Sequence, residues 1–204
     1  PSSYDEVIAE LQQSGSLAGE TRRRLARKAF AHTAAYDAAI VSWLDGSDGT
    51  NEVLPPSLHL ALEKVDDLRY GENPHQRGAR YREVGAASWW DDVVQHAGLA
   101  PSYLNLFDTA AAWTLAHDLG TEPAAAIIKH ANPCGAAVGA TTADAYQLAF
   151  ECDPRSAFGG IVAVNRVIDL ATVERIESAA QADVIVAPGY EPGVIERSVA
   201  KRKN

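Results

Sequence analysis

Helical and strand patterns alternate along the chain from residue 108 onward. The predicted elements are, in order, a helix at 109–119, a strand at 124–128, a helix at 142–152, a strand at 161–164, a helix at 169–180 and a strand at 184–187. Such alternation is typical of α/β proteins with a parallel sheet. We therefore predict an α/β sandwich with a mostly parallel sheet, in which Asp108 caps the first of these helices.

The predicted strand at 124–128 ends abruptly in Lys129 and His130, and Asn132-Pro133 and Gly135 then indicate a loop. Open α/β sheets place ligands at the carboxyl ends of their strands. Lys129 and His130 together would supply a cation and a proton acceptor at that point. The alternative is that both side chains simply lie on a surface loop.

A second polar segment, Leu68-Arg-Tyr-Gly-Glu-Asn-Pro-His-Gln76, includes Arg69 and Tyr70. Gly71 and Asn73-Pro74 would by themselves explain a turn here. A turn does not require so many hydrogen-bonding side chains. The composition of the segment suits an anionic ligand that also forms hydrogen bonds.

The residues before this segment predict helices and then a strand. Ser3-Tyr-Asp-Glu6 matches a capping box at the start of a short helix, and a long helical pattern follows from about residue 18 to 44. The run Asp45-Gly-Ser-Asp-Gly49 ends that helix and is a plausible boundary. Alternating leucines at 58–62 predict a strand.

Composition narrows the class of protein. A net charge of −9 argues against nucleic-acid binding, and no apolar run approaches the length that a membrane span needs. Two cysteines are too few for a disulfide framework, so we expect a reducing, cytoplasmic setting. Because the sequence contains no methionine, even at position 1, we expect it to be a processed or excised piece of a longer protein.

Several common sites are absent from the sequence. No Gly-x-Gly-x-x-Gly or Gly-x-x-x-x-Gly-Lys-[Ser/Thr] pattern occurs. A zinc deaminase needs His-x-Glu and Pro-Cys-x-x-Cys, but Ala-Asn follows His130 and Gly-Ala-Ala follows Cys134. We therefore expect no metal. Cys134 could act as a nucleophile beside His130, although a small buried thiol is the more common state.

Four motifs in one order resemble the bifunctional AICAR transformylase/IMP cyclohydrolase family of purine biosynthesis. They are Leu68-Arg-Tyr-Gly-Glu-Asn-Pro-His-Gln76, Lys129-His-Ala-Asn-Pro-Cys-Gly135, Ser156-Ala-Phe-Gly-Gly-Ile-Val-Ala163 and Asp183-Val-Ile-Val-Ala-Pro-Gly-Tyr190. The segment from Arg24 to Ile40 also resembles the helix that closes the family's cyclohydrolase domain.

The resemblance implies a three-layer α/β/α, cytidine-deaminase-like transformylase fold without the zinc. Residues 1–50 would be the helical end of the cyclohydrolase domain and a linker, and residues 51–204 the first half of the transformylase domain. The family transfers a formyl group from 10-formyltetrahydrofolate to the 5-amino group of AICAR, and then closes the ring to give IMP. The intact enzyme would be a cytoplasmic homodimer, and this piece alone is expected to be inactive.

The resemblance also assigns site residues. The catalytic pair would be Lys129 and His130, and the AICAR-binding positions would be Arg69, Tyr70, Gly159, Asp183 and Asn132, the last within the catalytic loop motif. Arg69 suits the 5′-phosphate by charge, whereas Asp183 could accept from the ribose or from the carboxamide. Two alternatives remain: a non-catalytic module that keeps the AICAR pocket, and a different hydrolase or deaminase on the same layers.

Overall fold

The structure is a computed structural model that describes residues 3–47, 54 and 56–201. Its helices and strands are α1 Tyr4–Ser14, α2 Gly19–Ser47, β1 Leu62–Leu68, β2 Gly78–Glu83, α3 Tyr103–Asp118, β3 Ala124–Lys129, β4 Asn132–Val138, α4 Thr142–Cys152, β5 Gly160–Val164, α5 Leu170–Ser178, β6 Ala182–Val186 and α6 Val194–Lys201. One turn of 3-10 helix spans Trp89–Asp92. The predicted division between residues 50 and 51 lies outside the described residues.

The chain divides into two compact units, and the first comprises Pro1–Glu63 and Tyr81–Ser88. Its α2 confirms the predicted long helix, but neither α1 nor α2 has a buried residue. The predicted capping box at the start of α1 is wrong, because the Ser3 side chain does not cap the helix and its hydroxyl instead accepts from Lys28 Nζ at 2.9 Å. The predicted strand at 58–62 is also wrong, since β1 begins only at Leu62.

The second unit comprises Lys64–Arg80 and Trp89–Asn204. Its sheet has the strand order β4-β3-β5-β6. β3 is antiparallel to both β4 and β5, whereas β5 and β6 are parallel. The strands β4, β5 and β6 therefore run in one direction and β3 runs in the other, so the sheet is mostly parallel in direction although β3 pairs antiparallel on both sides.

Strand β4 replaces the loop that the sequence predicts after β3. It contains Pro133, which has no N–H to donate, and Gly135, and both residues normally indicate a turn. A sheet tolerates such residues at an edge, and β4 is the edge strand of this sheet. The prediction was wrong here because composition alone cannot reveal an edge strand that pairs on one side only.

Helices cover both faces of the sheet. Ala126 and Ile128 of β3 pack with α3 on one face. Ala125 and Ile127, which alternate with them, belong to the core that α4 and α5 cover on the other face. This arrangement confirms the predicted α/β/α class.

Helix α3 starts earlier than predicted. Ser102 is its N-cap, and Ser102 and Asn105 form a reciprocal capping box: the Asn105 N–H donates to Ser102 Oγ at 3.3 Å, and the Ser102 N–H donates to Asn105 Oδ1 at 3.1 Å. The expectation that Asp108 caps this helix is therefore wrong. Asp108 lies within α3, and its side chain has a different function in the structure.

Candidate functional site

The predicted site residues after residue 128 lie at one end of the four-stranded sheet, where its strands begin or end. Since β3 runs opposite to its neighbours, its carboxyl end lies beside the amino ends of β4, β5 and β6. This end of the sheet is defined by the residue pairs Lys129–Asn132, Ile128–Ile161 and Gly160–Ala182. The site residues thus meet where one strand ends and three begin, rather than at the carboxyl ends of parallel strands.

Lys129, Gly159 and Asp183 form one group at this end of the sheet. Lys129 Nζ donates a 2.8 Å hydrogen bond to the carbonyl of Phe158, which places the ammonium next to Gly159. Gly159 has a φ of 73°, and a Cβ added there would lie 4.0 Å from both carboxylate oxygens of Asp183. A cation and an anion therefore lie near the half-buried backbone at Gly159, which carries no side chain.

His130 and Ala131 form the two-residue turn between β3 and β4. Both have left-handed backbone conformations, with φ values of 54° and 55°. Positive φ at both positions is the geometry of a type I′ hairpin turn, which favours Asn-Gly. The sequence provides neither of those residues at these two positions, so the turn must be stabilised by contacts from elsewhere.

The stabilising contact comes from Asp108 of α3. Its carboxylate accepts the His130 N–H at 3.1 Å through Oδ2 and the Ala131 N–H at 2.8 Å through Oδ1. The Asp108 residue is only 8% exposed, so its carboxylate is largely shielded from water, whereas the turn that it contacts is exposed at His130. Hydrogen bonds to a charged group contribute ~1.5–3 kcal/mol each, whereas a left-handed non-glycine residue costs ~1–2 kcal/mol. The two bonds can therefore offset the strain of the turn.

Sequence reasoning missed this contact. An acidic residue between Phe107 and the run Thr109-Ala-Ala-Ala112 in a helix would have been a signal, because a carboxylate there needs a partner. The sequence does not indicate which backbone amides would supply that partner.

The His130 ring and the Asp183 carboxylate are both exposed. Within the described part of the chain, neither group has a hydrogen-bond or ion-pair partner of its own. Asn132, in contrast, donates from its side chain to the His130 carbonyl at 2.8 Å, which fixes the amide against the turn. The imidazole and the carboxylate are thus available to a ligand, and so is the Lys129 ammonium, which has three N–H donors and gives one to the Phe158 carbonyl.

Arg69 and Tyr70 form a second group, at the start of α3. The Arg69 guanidinium lies 4.9 Å from the centre of the Tyr70 ring. The Arg69 N–H donates to the Pro101 carbonyl, and the Tyr103 N–H donates to the Tyr70 carbonyl. The contacts of the described residues join this pair to the start of α3 rather than to the Lys129 group. The N-cap Ser102, at the start of α3, lies ~9 Å along the helix axis from Asp108, because a helix rises ~1.5 Å per residue. The two groups of predicted site residues therefore lie beside different parts of α3.

Cys134 lies in β4 just beyond the turn. Burial raises the pKa of its thiol, the Asp153 charge raises it further, and the Lys129 ammonium opposes both effects. A thiol with a raised pKa is a poor nucleophile at neutral pH. These surroundings do not suit the alternative in which Cys134 attacks a substrate.

A shallow depression of about 410 Å³ runs along the outer side of α3, from Phe107 to Asp118, and reaches Ala131. None of the predicted site residues lines it.

In residues 3–47, 54 and 56–201, no three or more His, Cys, Asp or Glu side chains are grouped so that they could hold a metal ion. No helix in the described part of the chain combines the length and hydrophobicity that a membrane crossing requires.

Comparison with known proteins gives the family. A family model described as the AICARFT/IMPCHase bienzyme matches residues 1–204. The chain belongs to this family. The bifunctional purine biosynthesis protein PurH of Myxococcus xanthus is 47% identical over 208 residues, and the PurH proteins of Sorangium cellulosum and Bacillus cereus are 45% and 43% identical over 206 residues each.

These AICARFT/IMPCHase relatives are much longer than the chain. The matches cover 96–100% of the chain but only 39% of each relative. The family membership confirms the resemblance seen in the motifs. The end of the sheet that carries Lys129, Gly159 and Asp183 is therefore part of an AICARFT/IMPCHase fold.

Proposed function

We propose that this chain provides part of the active site for formyl transfer to AICAR in a bifunctional enzyme of purine biosynthesis. The strongest support is that Lys129, Gly159 and Asp183 lie together at one end of the sheet. The His130 ring, which has no partner in the described residues, lies on the adjoining turn. The second reaction, closure of the formylated product to IMP, belongs to the same proposal for the longer protein.

His130 acts as the base in this proposal. The 5-amino group of AICAR is conjugated to the ring and its carboxamide, so it is a weak nucleophile and must lose a proton as the new N–C bond forms. A histidine that is neutral near pH 7 is suited to accept that proton. The His130 ring forms no hydrogen bond within the described residues, which leaves a nitrogen free to do so.

Lys129 stabilises negative charge in this proposal. Charge develops on the formyl oxygen as the new N–C bond forms, and a preorganised cation stabilises it. The bond between the formyl carbon and the folate nitrogen then breaks, and the folate nitrogen leaves with the proton that His130 accepted from the amine. The hydrogen bond from Lys129 Nζ to the Phe158 carbonyl fixes the ammonium without neutralising it. 10-Formyltetrahydrofolate supplies the formyl group, and we assign no residue of this chain to its binding.

The remaining predicted residues hold AICAR. Gly159 leaves space beside the Asp183 carboxylate, which can accept from ribose hydroxyls or from the carboxamide. Arg69, braced by Tyr70, suits the 5′-phosphate as a permanently charged, forked donor. Asn132 keeps the turn in place through its bond to the His130 carbonyl.

The same proposal assigns residues 1–50 to the end of the cyclohydrolase domain and residues 51–204 to the first half of the transformylase. The motifs support this assignment, and each of the longer relatives has more than half of its length outside the match. We propose that the intact protein is a homodimer and that the other half of the transformylase completes the AICAR and folate sites.

The test is formyl transfer by the full-length protein that carries this chain, with AICAR and 10-formyltetrahydrofolate. His130→Ala and Lys129→Ala should each lower kcat by at least ~100-fold, the usual contribution of a general base or a charge-stabilising group. Lys64→Ala and His59→Ala are the matched controls, because both side chains are exposed and lie outside the site. Both controls should keep kcat within about twofold.

Two outcomes would change the proposal. If His130→Ala kept most of its kcat, the base assignment would be wrong. If the wild-type protein bound AICAR but transferred no formyl group, the alternative of a non-catalytic nucleotide-binding module would be favoured instead. The 204-residue chain should itself be inactive, and transfer by the isolated chain would show that it holds a complete site.

A further inference from the structure

We propose that Asp108 is a positioning residue that holds His130 in place for the reaction. This proposal rests on the proposed function, since it gives Asp108 a role through the base. Its structural part is the contact between a helix and a hairpin turn, which can be tested separately from any activity.

The geometry gives one carboxylate control over two consecutive residues. Asp108 accepts the N–H groups of His130 and Ala131 at 3.1 and 2.8 Å, and both residues have positive φ. Two convergent amides bound by a single anion fix the peptide plane between them. The direction in which the Cα–Cβ bond of His130 leaves the turn is fixed with that plane.

The imidazole has little else to orient it. In the described part of the chain its ring nitrogens have no partner, and the residue is exposed. Its position therefore depends on the backbone that carries it. Asp108 lies on α3, which packs against β3 and β5, so the carboxylate transfers the rigidity of the core to an otherwise exposed turn.

The first measurement is steady-state formyl transfer by the full-length protein with Asp108→Asn. The amide is nearly isosteric, but it replaces one acceptor with a donor that faces a backbone N–H. We expect kcat to fall about 10- to 100-fold, as for a catalytic group displaced by about 1 Å, with the KM for AICAR within about threefold. Asp118→Asn, an exposed carboxylate on the last turn of the same helix, should stay within about twofold in both constants.

The second measurement is hydrogen–deuterium exchange of the peptide spanning residues 127–133 in the same full-length proteins. In Asp108→Asn the amides of His130 and Ala131 should exchange at least about 10-fold faster, and in Asp118→Asn they should not change. This measurement does not depend on catalysis. If the wild-type protein transfers no formyl group, the proposed function fails, whereas exchange still decides whether Asp108 holds the turn.

A double variant separates positioning from general loss of structure. Ala131→Gly in the Asp108→Asn background puts glycine where φ is positive, so the turn needs the carboxylate less. We expect it to recover at least about fivefold in kcat. Unchanged exchange in Asp108→Asn, a rise in KM with kcat unchanged, or no recovery on adding Ala131→Gly would each overturn the proposal.

Discussion

Gly135 of β4 packs directly against the backbone of Ala149 in α4, so closely that the site has no space for a side chain. A Cβ at Gly135 would overlap the Ala149 carbonyl oxygen and come within 2.8 Å of the Cys152 Cβ. We predict that Gly135→Ala lowers the free energy of unfolding by about 2–3 kcal/mol, because β4 must move away from α4. Urea denaturation followed by circular dichroism measures this.

The control for that prediction is Gly189→Ala. A Cβ there would meet only Val167 Cγ2, at an ordinary contact distance of 3.6 Å. Its effect should stay within about 0.5 kcal/mol. Equal stability of Gly135→Ala and Gly189→Ala would mean that the packing of β4 on α4 is looser than the structure describes.

Asn165 is predicted to stabilise the end of the sheet that lies opposite the candidate site. Its side chain is 5% exposed, accepts the Ala124 N–H at 2.8 Å and donates to the carbonyls of Gly120 and Glu122. Asn165→Ala should cost about 3 kcal/mol, since three hydrogen bonds are lost inside the protein. Asn165→Asp should cost at least as much at pH 7, because a carboxylate would then face two carbonyl oxygens. A loss under 1 kcal/mol in both variants would contradict this.

The two cysteines are predicted to differ in reactivity. Burial raises the pKa of the Cys134 thiol, whereas Cys152 is exposed. Iodoacetamide at pH 7.5 should therefore modify Cys152 first, as peptide mass mapping would reveal. Since the Lys129 ammonium lowers the pKa of Cys134, Lys129→Ala should slow its modification further. Equal labelling rates for both thiols would show that Cys134 is not shielded as described.

The cap of α5 should make stability depend on pH. The Thr172 hydroxyl beside it and the Thr172 backbone N–H, which donates to Asp169 Oδ1 at 2.7 Å, lower the pKa of the Asp169 carboxyl below the usual 3.8. A lowered folded-state pKa stabilises the protein above the unfolded-state value, and that contribution is lost as pH falls through the folded value. Asp169→Ala should cost about 1 kcal/mol at pH 7, and the difference from wild type should shrink below pH 3.8. Urea titrations at several pH values measure it, and a difference that stays constant down to pH 2 would argue against the cap.

The sequence predicted the buried elements better than the edges. Strands β3 and β5 and the helices around them have apolar runs or spacings that a packed core explains, so these elements follow from periodicity, although α3 starts at Tyr103 rather than at residue 109. Strand β4 does not, because Pro133 and Gly135 are compatible with both a loop and an edge strand. The direction of β3 depends on that hairpin, so the meeting of strand ends and starts could not be predicted either.

The candidate site shows the same division. The motifs indicated Lys129, Gly159 and Asp183, and the structure brings these three together. The role of Asp108 could not be predicted, because it depends on which helical turn faces the hairpin. That relationship is set by packing between residues more than 20 positions apart, and local sequence carries no information about it.

The direction of the strands also gives the sheet one end that carries the candidate site and one end that does not. Strand β3 begins, and β5 ends, at the end of the sheet where Thr121 and Arg166 are exposed and in contact. Five residues of strand span about 16 Å, so this end of the sheet is well away from Lys129 and His130. A fluorophore or an affinity tag attached at Thr121 would therefore report on the protein, or immobilise it, without contacting the candidate site.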